Sequence, residues 1–421
     1  MPNMMITAGL DIGNGYTKGS VGVADDKRTP IDIPSAMGRV RARLSDIKAR
    51  PEEVPGIIKD LYNRADVSFD SPQVTDTSRF MMGRRAIEAG GLLKEFDVDS
   101  AKSKAEQELS YMLVFGCLAC KALQEAYAAN GGQLPADIVQ ADVYLALALP
   151  INEYKDYRTS YAQSFSQHTH IVSFHNFENP VRVQLRIVTT QVLAEGASAQ
   201  YAINLKGEPL LTALMNRLTA MGEDLDGVTA ADILQAKSTI GIDIGEGTVN
   251  FPVFIGGKFN QDASRTYPKG YGNVLTASLE LLQASGLPFQ SRKALGEFLM
   301  EPVTNLNKRK HAIVQPIVDD EISEFAEKIQ MEFSGILARV GSYADVIYVY
   351  GGGSGPLADA LYPRLIRASK EFGAGQATYP ILYIEAEYAR VLNREGLYLV
   401  AQNVRDSMLR TAQAANGAKR A

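Results

Sequence analysis

Two stretches of the chain place an acid at the end of an apolar run, with glycines directly behind it. They are Ala8-Gly-Leu-Asp11-Ile-Gly13-Asn14-Gly15-Tyr16-Thr-Lys18 near the start and Ile240-Gly-Ile-Asp243-Ile-Gly245-Glu246-Gly247-Thr248-Val-Asn250 past the middle. Such a turn offers consecutive backbone N–H groups with no side chain at the Gly positions, so phosphate oxygens can approach closely. A carboxylate at the strand end, Asp11 or Asp243, can hold Mg²⁺ through its water shell against those phosphates. Lys18 falls on the returning strand, from which its ammonium can reach back to the same place. A third run, Tyr348-Val-Tyr-Gly351-Gly352-Gly353-Ser354-Gly355, reads as strand, glycine turn and helix, a backbone that can lie flat against a nucleoside. One glycine-rich turn is common and means little; three in one chain point to a nucleotide. The spacing is neither G-x-G-x-x-G nor G-x-x-x-x-G-K-[ST].

The elements that must position these residues follow from the apolar pattern. Each Asp-Ile-Gly copy reads as a β-hairpin, with returning strands over residues 19–23 and 249–255. Two copies imply two related domains. Residues 106–129 carry helical spacing and stop at Asn130-Gly-Gly. Residues 142–149, 170–174, 181–189 and 344–350 read as strands, and 272–285, 317–343 and the stretch from 356 onward as helices. This alternation predicts an α/β protein. Residues 39–76 are charged and Pro-punctuated, which predicts a surface insertion, and the tail 412–421 is expected to fray.

Composition sets the class. Of 421 residues 46% are apolar and 22% charged, enough for buried cores in two globular halves. A formal charge of −5 argues against a protein that coats nucleic acid unaided. Cys117 and Cys120 are the only cysteines, so no disulfide framework exists and a reducing cytoplasm is the natural compartment. No leader-like start is read, and the apolar stretches 111–120 and 143–151 are shorter than the ~20 residues of a membrane span.

Asp11-Ile-Gly-x-x-x-x-Lys18, Asp243-Ile-Gly-Glu-Gly-Thr248 and Gly351-Gly-Gly resemble, in order and spacing, the phosphate-1, phosphate-2 and adenosine motifs of the actin-like ATPase superfamily. Val192-Leu-Ala-Glu195-Gly-Ala-Ser-Ala is similar to that superfamily's connecting helix, whose acid positions the attacking water. Leu149-Pro-Ile-Asn-Glu-Tyr154, Glu332-Phe-Ser-Gly335 and residues 391–398 resemble the ParM/StbA-type plasmid-segregating actins. Two departures stand out: Asn250 replaces a frequent Asp, and Asn14-Gly15 replaces a Ser/Thr pair.

The resemblance implies an actin-like fold, two ribonuclease-H-like domains with a nucleotide cleft between them. Residues 1–195 would form the first, with 385–410 packing back on it, and 196–384 the second. It implies ATP, with GTP left open, and Mg²⁺ held through water by Asp11 and Asp243. Asp11, Gly13, Asn14, Gly15, Tyr16 and Lys18 would contact the nucleotide, as would Gly245, Glu246, Gly247, Thr248, Gly351, Gly352, Gly353 and Ser354. Glu195, Asp243 and Lys18 would carry hydrolysis. The partners implied are further copies of the chain in a filament and a DNA-bound adaptor of the ParR type, with no direct nucleic-acid or membrane contact. Two readings of the same fold stay open. A small-molecule kinase needs an Asp base and a substrate loop, neither of which is identifiable; a non-polymerising scaffold ATPase needs neither.

Other candidate groups have plainer readings. Cys117-Leu-Ala-Cys120 has half-zinc spacing but lies in an apolar helix, which predicts core packing. His168 and His170 share a strand face yet lack an acidic partner, which predicts a surface or turn position. Lys308-Arg-Lys-His311 reads as a solvated charge run.

Overall fold

The apolar run ending at Asp11 is the strand Met4–Ile12, with Ile6, Ala8, Leu10 and Ile12 all buried. The structure is a computed structural model that describes residues 3–23, 28–41, 48–89, 92–97, 102–340, 344–372 and 379–418. Contacts divide the chain into two compact units. One comprises Met1–Leu149, Glu153–Tyr201 and Arg394–Ala421; the other comprises Pro150–Asn152 and Ala202–Asn393.

In the first unit, ten strands among the described residues form one sheet. Their order is Arg28–Pro34, Tyr16–Gly22, Met4–Ile12, Val139–Leu149, Val181–Ala194, Thr169–Phe174, Asp66–Asp70, Phe80–Met82, Met37–Arg39 and Leu93–Lys94. Met4–Ile12 and Val181–Ala194 both run parallel to Val139–Leu149. Parallel strands need both faces covered, which is why they read as near-continuous apolar runs. The helix Glu108–Ala129 supplies one cover and buries Cys117 and Cys120 completely. By length and composition this helix could cross a membrane, contrary to the expectation from the shorter apolar stretches, but 72% of its apolar window is buried inside the unit.

Three expectations are corrected here. The segment 39–76 is no surface insertion: Asp66–Asp70 pairs with Thr169–Phe174 and extends the sheet, and Ile57, Ile58, Leu61, Val67 and Phe69 are buried. Its apolar residues fall in short runs between charges, so a pattern search over longer windows passes over them. His170 is a core residue. Its Nδ1 bonds Ser71 Oγ at 2.8 Å, its Nε2 bonds the Phe165 carbonyl at 2.9 Å, and its ring stacks on Phe115. The tail is helical to Ala418 as part of Leu392–Ala418; residues 419–421 lie outside the described residues.

That last helix presses on the first strand. A Cβ at Gly9 would stand 2.2 Å from Tyr398 N, and one at Gly396 would stand 1.8 Å from the Ser198 carbonyl oxygen. Neither backbone can yield without moving an element, so Gly9→Val is expected to cost roughly 3 kcal/mol or more of stability. Urea denaturation followed by circular dichroism checks this; an unchanged midpoint would contradict the packing.

In the second unit Thr239–Ile244 is central. It runs parallel to Val346–Tyr350, which in turn runs parallel to Ile381–Tyr383. The expected returning strand is broken at Pro252 into Val249–Phe251 and Val253–Ile255, as Pro cannot donate to the ladder. The helices Tyr271–Ala284, Lys308–Val340 and Ser354–Phe372 flank this sheet. The third starts two residues earlier than its sequence suggests, with Ser354 Oγ donating to the Gly351 carbonyl.

Candidate functional site

Both Asp-Ile-Gly copies fold into the same turn. In the first, Gly13 N donates to the Tyr16 carbonyl at 3.1 Å, and in the second Gly245 N donates to the Thr248 carbonyl at 2.8 Å. Across the two strands Asp11 stands opposite Lys18, and Asp243 opposite Asn250. Asn250 therefore occupies in the second hairpin the register of Lys18 in the first. Gly13 is required by the geometry, because a Cβ there would meet the Tyr16 carbonyl oxygen at 2.7 Å. Asn14, Gly15 and Tyr16 at the tip of the first turn are exposed, as are Glu246 and Gly247 in the second. Ser35 N fastens the first tip by donating to the Gly15 carbonyl at 2.9 Å.

In the first unit, three parallel strands end together, the usual place for ligands in such sheets. Asp11 closes one strand, and Ala194 pairs with Leu149 at the ends of the other two. Glu195 follows directly, its N–H donating to the Leu149 carbonyl at 2.7 Å. This corrects the expectation of a Glu195 carried on a helix: it sits in the turn between Val181–Ala194 and the helix Ala199–Ala220. The turn residue Gly196 has φ +80°, which favours glycine and ends the strand there.

The sequence reading missed Lys104. Its Nζ donates to Glu195 Oε1 at 2.8 Å, with the lysine buried and the glutamate half-buried. Burial alone would lower the Lys104 pKa, but Glu195 and Asp11 outweigh it and hold the ammonium above its ordinary value. Lys104 rides on a short turn fixed by Glu153, the acid of the Leu149–Tyr154 stretch, whose Oε2 accepts from Lys104 N at 3.0 Å and from Ser103 Oγ. A Ser103-x-x-Glu106 capping box announces that turn in the sequence, but nothing local marks the lysine as facing Asp11 and Glu195.

Asp11 carries the electrostatic cost of this arrangement. Burial, reinforced by the Glu195 carboxylate, raises its pKa from 3.8 to about 6 against the pull of Lys104 and Lys18. The folded state thus binds this proton more tightly than the unfolded chain does. The resulting stabilisation is full below the unfolded value and lost as pH rises through about 6. Asp11→Asn is therefore expected to stabilise the nucleotide-free protein at about pH 7 by on the order of 2–3 kcal/mol and to change it little at about pH 4. Melting temperatures of the two proteins across that range check this; parallel curves would contradict it.

The second unit gathers a different set. Asp243 Oδ2 accepts from Asn393 Nδ2 at 2.7 Å, a partner the sequence did not suggest. Gly351 has φ +98°, and a Cβ there would stand 2.5 Å from Asp243 Oδ1. Gly353 N donates to the Ile244 carbonyl at 2.8 Å, and its own Cβ would meet Tyr271. Gly352 differs: a Cβ there meets nothing within 4 Å, and no positive φ requires glycine. Packing therefore does not require glycine there. The turn Gly245–Thr248 is braced by the next helix, with Tyr271 N and Gly272 N donating to the Gly245 and Glu246 carbonyls. Among the described residues no group of three or more His, Cys, Asp or Glu forms a protein-only metal site.

Residues 9–197 match the family model for the N-terminal domain of actin-like proteins. The fold is actin-like. The actin-like protein Alp7A superimposes with a TM-score of 0.63 at 16% identity, covering 98% of this chain and 100% of Alp7A. Bacillus thuringiensis ParM with AMPPNP gives 0.59 at 16%, covering 96% and 100%. An archaeal actin homologue gives 0.57 at 15%, covering 95% and 99%. No curated protein matches the chain by sequence. The actin-like fold thus persists here at identities where sequence similarity alone has largely gone.

Proposed function

We propose that this chain binds and hydrolyses ATP and assembles, in the cytoplasm, into filaments that move plasmid DNA through a DNA-bound adaptor. The observation that carries the reading is the double turn: the same Asp-Ile-Gly hairpin built twice, one copy beside Glu195 and Lys104 and the other beside Gly351–Ser354. Solved structures of Bacillus thuringiensis ParM with AMPPNP, ATP and ADP support the choice of nucleotide, and the likeness to ParM and Alp7A supports assembly.

In this reading the turn Gly13–Tyr16 with Lys18 would offer amides and an ammonium to phosphate, the turn Gly245–Thr248 would likewise offer amides, and Gly351–Ser354 would lie along the nucleoside. Asp11 and Asp243 would hold Mg²⁺ through its water shell, and the ion would supply neutralisation of phosphate charge. Glu195 orients the attacking water and takes up its proton, while Lys104 fixes the carboxylate. Lys18 and the turn amides stabilise negative charge on the transferred phosphoryl group.

Asp243→Ala is expected to weaken ATP binding in the presence of Mg²⁺ by roughly tenfold or more, with EDTA abolishing the difference from wild type. Calorimetric titration reads both. An affinity insensitive to the substitution and to EDTA would overturn the nucleotide assignment.

A further inference from the structure

The corner between the helices Arg292–Met300 and Lys308–Val340 exposes more aliphatic surface than a solvated loop needs. Met300 is 73% exposed, Val303 66% and Leu306 99%. The loop that carries them is built rather than slack. Thr304 N–H donates to Asn307 Oδ1 at 2.6 Å, Asn307 Nδ2 donates to the Pro302 carbonyl at 3.1 Å, and Lys308 Nζ donates to Asn305 Oδ1 at 3.1 Å. A fixed backbone holding out a bare leucine loses little entropy on binding, the property of an interface anchor. Two cations flank it, because Lys308 and Arg309 are exposed. Lys310 is not available in the same way: its ammonium lies over the Phe289 and Phe298 rings at 4.0 and 4.7 Å, and His311 stacks on Phe298. The expected solvated charge run is thus exposed at Lys308, Arg309 and Lys310, and only His311 is buried.

Further along the same helix is a surface of opposite kind. Asp320, Glu324, Glu327 and Met331 are spaced four, three and four residues apart, so they line one helical face. All four are exposed, Met331 by 66%. Glu324 is partly offset by Lys328; Asp320 and Glu327 keep the stripe acidic. One patch is therefore basic around exposed aliphatic groups, and the other is acidic beside an exposed methionine.

We infer that these two patches bind one another between copies of the chain, the Leu306 corner of one copy seating on the Asp320–Met331 face of the next. The corner sits at the start of the helix Lys308–Val340 and the acidic face begins about 18 Å along it and ends about 35 Å along it, at 1.5 Å per residue, so they cannot meet within a molecule. Because the surfaces differ, the contact is head-to-tail, which yields an open chain of protomers wherever its rotation does not close a ring. The inference gives a surface to the assembly reading above and rests on that reading for its biological role; the contact itself is tested separately.

Two single-cysteine variants, Leu306→Cys and Met331→Cys, report on it directly, since the native Cys117 and Cys120 are fully buried. Under mild oxidation the mixture is expected to give a disulfide-linked dimer that neither variant gives alone, and the double variant a ladder of multimers. No cross-link in the mixture, or cross-linking of Leu306→Cys with itself, would overturn the contact, whether or not wild type pellets with ATP. As a second measurement, Lys308→Glu with Arg309→Glu should raise the concentration needed for cross-linking at least about tenfold. Adding Glu324→Lys and Glu327→Lys should recover most of that loss; no recovery would reject the charge pairing.

Discussion

Glu195→Gln is expected to lower ATP turnover by roughly 10²-fold or more while ATP affinity stays within about threefold of wild type. Glu195 stands where three parallel strands end, its N–H on the Leu149 carbonyl and its carboxylate on Lys104. Gln keeps the volume and an oxygen able to accept from Lys104, so the fold keeps its contact while the side chain loses charge and proton affinity. Ala is the poorer variant, because stripping the partner from a buried ammonium costs about 3–5 kcal/mol by itself. Single-turnover phosphate release against nucleotide titration separates the two quantities. An equal loss in both would make Glu195 a structural acid.

The fold was legible where local patterns were strong. Both hairpins are visible because an apolar run, Asp-Ile-Gly and a second run follow one another twice, and the helix Glu108–Ala129 because twenty-two apolar-rich residues end at Asn130-Gly-Gly. The pattern failed where pairing is non-local. Asp66–Asp70 alternates Val67 and Phe69 with polar residues, but the run is short and set among charges, and it becomes a strand by adding to Thr169–Phe174, far along the chain. His170 is polar by type, and only Ser71 and the Phe165 carbonyl, both supplied by tertiary structure, let it be buried.

The candidate site divides in the same way. Asp11, Lys18 and Asp243 could be placed because a hairpin fixes its own register, and Asp11 does stand opposite Lys18. Lys104 and Asn393 could not, since each reaches its carboxylate from a part of the chain with no motif to point at it. Glu195 was singled out through its neighbours in sequence but set on the wrong element: the strand ends at Ala194, and the turn through Gly196 at positive φ delays the helix to Ala199.

Assembly should follow the nucleotide. ATP differs from ADP by the γ-phosphate, and a ligand shifts a conformational equilibrium only by its differential contacts with the two states. If the head-to-tail contact is made by the ATP-bound form, filaments need ATP, show a critical concentration and fall apart as ADP accumulates. Slower hydrolysis in Glu195→Gln should then prolong them. Sedimentation of the full chain with Mg²⁺ and ATP, a slowly hydrolysed analogue, ADP or no nucleotide, with negative-stain microscopy of the pellets, tests this most directly. The account predicts filaments with ATP and the analogue above a threshold on the order of micromolar, and few or none with ADP. A chain that binds ATP yet stays in the supernatant at tens of micromolar, roughly the range of weak protein contacts, would contradict it.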